Sequence, residues 1–107
     1  MPHQMSVILT TVGSQEDATQ MSEMLIARKF AACVQELNVT SHFRWDGAVQ
    51  KEPEILLLIK TAASRVDAVI EAIREQHKYD LPEIIALPVA EGLAAYIDWV
   101  VTESRDK

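Results

Sequence analysis

The sequence predicts an α+β fold with elements in the order β-α-β-β-α-β, an extended β-hairpin at its centre and an added C-terminal helix. Three observations predict it. Short β-branched runs stand near both ends, at Val7 to Val12 and Ile84 to Val89. Two intervening stretches repeat apolar residues at helical spacing. Between them lies AACVQELNVTSHFRW, then Asp46-Gly47, then a second arm ending in EILLLIKT. Asp-Gly is a strong two-residue hairpin signal, because both turn residues need positive φ and these two tolerate it.

Val7 to Val12 is the first strand, and Gly13 breaks it. Ser14 with Asp17 resembles a capping box, with Asp in place of the usual Glu. The helix runs to about Lys29 on Ala18, Met21 and Leu25, with Met24 beside them and Arg28 and Lys29 in its last turn, where cations suit the helix dipole.

With Asp46 and Gly47 as the turn, Trp45 faces Ala48 and Phe43 faces Gln50. An arm of roughly 15 residues at about 3.3 Å each spans on the order of 50 Å, against about 21 Å for a helix of about 14 residues. Part of the ribbon must therefore project, and its Val39, Phe43 and Trp45 call for a partner surface. Leu37, Val39, Ser41, Phe43 and Trp45 share one parity and Ala32 and Val34 the other, which predicts a β-bulge near Gln35-Glu36. Pro53 sits where a missing donor is tolerated. Ile55 to Ile59, apolar on both faces, reads as a central strand covered on both sides.

Ser64 with Asp67 is a second candidate capping box. Val66, Val69, Ile70, Ile73 and His77 form the clearest amphipathic helix, ended by Asp80-Leu81-Pro82. After the strand Ile84 to Val89, Glu91-Gly92 turns the chain into a helix on Ala94, Ile97, Trp99 and Val100. The whole is the split β-α-β, or ferredoxin-like, arrangement.

At 107 residues the chain fits one domain, residues 1–107. Its net charge of −6 argues against a nucleic-acid or anionic-membrane surface. Cys33 is the only cysteine, so no intrachain disulfide forms, and a reducing compartment is the natural reading. The N-terminus has no basic n-region and only a brief apolar run, unlike a signal peptide or membrane span.

Catalytic signals are thin. G-x-S-x-G, Walker, Rossmann, C-x-x-C and H-E-x-x-H patterns are all missing, and Gly13-Ser14-Gln15 is a poor anion loop. No enzyme is expected. His77 falls on the apolar stripe at the end of its helix. A neutral imidazole there is a transition-metal candidate, or a group bonded to the helix end or core. Cys33 is a soft ligand candidate, or a small core residue between Ala32 and Val34. Lys51, Glu52 and Glu54 crowd the second arm as a polar site against a neighbour or as a solvated edge. Lys60 reads as an anion partner or a snorkelling strand end. Trp45 and Trp99 read as packing anchors. His3 falls in a tail and His42 on the hairpin, neither with a spacing partner.

Taken in order, ARKFAACV, FRWDG, EILLLIKT, HKYDLPEIIALPV and YIDW resemble the CutA family of divalent-cation tolerance proteins over essentially the whole chain. That resemblance implies a tight cytoplasmic homotrimer whose strands join edge to edge between subunits. It also implies a likeness to the PII signalling proteins and a link to copper or another divalent cation as cofactor. Trp45, Glu54, Lys60 and Tyr79 are the family's matched polar and aromatic positions, candidates to line a cleft between subunits. The PII-like alternative adds a small ligand in that cleft and a partner protein of unknown identity. Departures occur at Gln35, Asn38, Phe43 and Lys78, where the family often has Asn, Pro, Tyr and Pro. Some copper-binding members carry a cysteine and a second histidine where Thr10 and Gln76 stand, so only His77 carries over from that set.

Overall fold

A computed structural model describes residues 4–105; His3 lies outside them. The elements are β1 (Met5–Val12), α1 (Gln15–Ala27), β2 (Cys33–Trp45), β3 (Ala48–Ala62), α2 (Val66–Gln76), β4 (Ile84–Pro88) and α3 (Ala94–Glu103). The sheet order is β2-β3-β1-β4, antiparallel throughout. The expected ferredoxin-like order and the added helix are both present.

The hairpin turn has φ of 53° at Asp46 and 77° at Gly47, the left-handed backbone that Asp-Gly accepts. Trp45 faces Ala48 and Phe43 faces Gln50, as the turn predicts. The register then runs unbroken down to Cys33 opposite Lys60. No bulge forms at Gln35-Glu36. The parity change has another cause, which is that both faces of this sheet are apolar. Val34 packs under the helices, whereas Leu37 and Val39 lie on the opposite face.

Helices α1 and α2 cover one face. Ala18, Met21 and Leu25 meet Val69 and Ile73 over Ile8, Ile55, Leu57 and Ile59. On the other face α3 covers only one end, where Ile97 and Val100 pack on Met5, Val7 and Ala32. The rest stays open. Leu37, Ile85 and Leu87 are 55%, 47% and 48% exposed, and Leu56 and Leu58 between them are half-buried. Strand β3 is therefore central, but the chain covers it fully on one face only, α3 reaching just one end of the other. Trp99 is exposed as well, so α3 packs through Ile97 and Val100 rather than through its tryptophan.

Ser14 caps α1, its Oγ accepting from the Asp17 N–H at 3.1 Å. The helix ends at Ala27. Arg28 is its C-cap and Lys29, at φ 61°, turns the chain out of it, so neither lies in the last turn. The second capping box does not form. The chain passes from β3 straight into a 3-10 turn, Ala63–Arg65, so Ser64 is already inside helical backbone and α2 has no side-chain cap.

Pairing between β1 and β3 stops at Val12 opposite Ile55. Beyond it β2 and β3 continue alone as a ribbon, which draws the molecule out to 45 × 26 × 21 Å. Pro53 lies in that stretch, where β3 has one neighbour and a missing donor costs nothing on the free side.

Candidate functional site

A cleft of about 450 Å³ opens where the ribbon leaves the sheet. Strand alternation places Phe43 and Trp45 on the same face as Glu52 and Glu54. Tyr79 and Asp80, from the α2–β4 loop, close the other side.

His77 holds that loop. It leaves α2 with extended backbone, φ −70° and ψ 141°. Its Nδ1 accepts the Tyr79 N–H at 3.1 Å, and its Nε2 lies 2.8 Å from the Thr11 carbonyl. A carbonyl only accepts, so Nε2 carries the proton and the imidazole is neutral. Lys78 adds a second tie to the N-terminus of α1 through Asp17, at 2.7 Å. The Lys78 ammonium, with the Ser14 hydroxyl, holds the Asp17 carboxyl below its usual value.

Tyr79 then crosses the cleft, its hydroxyl donating to Glu54 Oε2 at 2.7 Å. Burial, and next the Glu54 carboxylate, push its phenol up to about 12. Gly13 makes room for this hydroxyl, because a Cβ there would stand 3.1 Å from Tyr79 Oη.

Of the sequence candidates, Trp45, Glu54 and Tyr79 come together here. Lys60 does not join them within the subunit. It lies six residues along β3 from Glu54, about 20 Å away, where Nζ donates to Gln35 Oε1 at 2.6 Å and sits 5.8 Å from the Tyr96 ring centroid. Phe43, Asp80 and Gly13 line the cleft as well, beyond the residues that the sequence singles out for it. Period-two alternation outward from Asp46-Gly47 was the signal for Phe43, since it aligns Phe43 with Glu52 and Glu54. Gly13 and Asp80 carried no such signal.

The metal candidates separate. Cys33 is half-buried opposite Lys60, on the open face of the sheet. His77 reaches Thr11, whose partner Leu56 is four residues from Lys60, about 13 Å along the strand. Both imidazole nitrogens are engaged, and among the described residues no three His, Cys, Asp or Glu side chains group as metal ligands. Cys33 and His77 of one subunit therefore do not fit a single copper ion. Among the described residues no helix is long and apolar enough to cross a membrane.

Residues 6–103 match the family described as CutA1 divalent ion tolerance protein. The chain is 41% identical over 95 residues to the divalent-cation tolerance protein CutA of Thermus thermophilus, covering 88% of this chain and 92% of that one. The solved structure of the Thermus protein superposes with a TM-score of 0.90 at 38% identity, over 94% and 99% of the two chains. Protein CutA 1, chloroplastic, of Oryza sativa is 38% identical over 94% of this chain, which spans only 57% of that relative's length. A structure titled PII-like protein CutA from Nostoc sp. PCC 7120, in apo form, superposes with a TM-score of 0.90 at 29% identity, over 95% and 99%.

Proposed function

Because the chain belongs to the CutA1 divalent ion tolerance protein family, we propose that it serves divalent-cation tolerance as a cytoplasmic homotrimer, acting as a binding module rather than an enzyme. The observation that supports this reading most is the half-covered sheet. Leu37, Leu56, Leu58, Leu9, Ile85 and Leu87 form a continuous apolar face that α3 leaves open. An exposed face of this kind marks an interaction surface. Like faces from further copies would complete the core around a closed symmetry axis. The family resemblance supplies the number three.

The binding site in this reading is the cleft around Tyr79, Glu54 and Trp45, at the margin of that face. A ligand held there would report to the ribbon and to the α2–β4 loop together, which is the PII-like form of the proposal. The Nostoc relative carries that description. A divalent ion would need donors from more than one subunit, or would have to displace a protein group from His77.

Light scattering at micromolar concentration tests the assembly. Three times the chain mass is expected, and a monomer mass would sink it. Calorimetric titration of metal-free protein with copper, beside His77→Ala, tests the metal role. A stoichiometric isotherm lost in the variant makes His77 a ligand. Identical isotherms leave it the residue that anchors the loop.

A further inference from the structure

Charge separates across the projecting ribbon. Side chains alternate between its faces, so Glu52 and Glu54 share the cleft side with Phe43 and Trp45, while Arg44 and Lys51 fall on the back. Asp80 adds a third carboxylate from the opposing loop, and Tyr79 a third ring. Among the described residues of one chain, no Lys or Arg lines the cleft. The one hydroxyl among these six side chains already donates to Glu54.

We propose that this cleft takes a small organic cation, an ammonium or guanidinium group on an apolar body; the proposal rests on the reading of the cleft as the ligand site. Aromatic faces present the negative side of their quadrupole to a cation and its attached methyl or methylene groups. Carboxylates then fix the charge, and Glu52, Asp80 and the free Oε1 of Glu54 have capacity to accept. An anion meets three like charges, and from these side chains only the Trp45 indole N–H is left to donate to it. A bare metal ion leaves the aromatic walls unused and lacks a converging set of oxygens. A volume of about 450 Å³ suits a small organic molecule.

Three probes of one shape test the charge. They are choline, its neutral isostere 3,3-dimethylbutan-1-ol, and anionic 3,3-dimethylbutanoate. Each is titrated into the assembled full-length protein while the indole N–H resonances of Trp45 and Trp99 are followed. The Trp45 signal is the one missing in Trp45→Phe. Choline is expected to shift Trp45 saturably, the alcohol to bind about tenfold more weakly, and the acid to leave it unmoved. Glu52→Gln with Glu54→Gln should bring choline down to the alcohol's affinity and leave the alcohol unchanged, which also shows that the cleft stays folded. The alcohol or the acid binding as tightly as choline overturns the cation and keeps the cleft as a ligand site. Silence from all three, with Trp45 shielded from acrylamide quenching, overturns both and makes a neighbouring copy the occupant.

Discussion

Tyr79 and Glu54, 25 positions apart in the chain, are joined hydroxyl to carboxylate at 2.7 Å, so the α2–β4 loop is tied to the base of the ribbon. The tie has an acid–base signature. Its phenol is raised from 10.0 to about 12, first by burial and then by Glu54. A raised folded value means that the stabilisation is complete below pH 10 and disappears as the pH climbs through about 12. Absorbance titration of the tyrosinates, with Tyr79→Phe as the control, should show one step near 12 that the variant lacks. A step at 10 that Tyr79→Phe removes would mean that the bond is not formed in solution.

Gly13→Ala should loosen that tie without unfolding the chain. The new Cβ would sit 3.1 Å from Tyr79 Oη, closer than ordinary contact, and the ring can swing away by a few tenths of an ångström. The Tyr79 step should then move down from about 12 towards 10, with the far-ultraviolet circular dichroism unchanged.

Thr10→Val should stabilise the protein. Thr10 is fully buried on β1, and its hydroxyl has no hydrogen-bond partner among the described residues. Replacing it with a methyl of similar size removes an uncompensated desolvation, worth roughly 1 kcal/mol. The urea midpoint should rise with an unchanged slope. A lower midpoint would show that the hydroxyl has a partner.

Leu37→Asp should break the proposed trimer. Leu37 stands on the open face, 55% exposed and opposite Leu56. A carboxylate there costs the single subunit little, but it would be desolvated without a partner once like faces close over it. Sedimentation or light scattering should show a lower mass than the parent protein. An unchanged mass places the subunit contact elsewhere.

The order of elements was legible because each rests on local chemistry. Asp46-Gly47 set the hairpin register, Ser14 marked the start of α1, and the period of Val66 to Ile73 marked α2. A local signal misleads where the sheet has two apolar faces. The change of parity from Val34 to Leu37 suggests a bulge, but it records a second apolar face. Ser64 failed as a cap because the 3-10 turn before α2 shows only in the backbone. Within the site, the resemblance pointed to Tyr79, Glu54 and Trp45. Composition alone could not bring a loop after α2 against a strand 25 residues earlier. Lys60 shared a strand and a face with Glu54, yet strand rise alone separates them.

Under the proposed assembly, the open face of the sheet also makes the amount of protein a thermodynamic variable. A subunit that leaves Leu37, Ile85 and Leu87 in water has only the helix-covered half of its core to hold it. In the proposed trimer, the stability of the second half arrives by mass action, so the melting temperature should climb with chain concentration. Dilution should then act as a denaturant, and a lone chain in a freshly expressing cell should be its most fragile form.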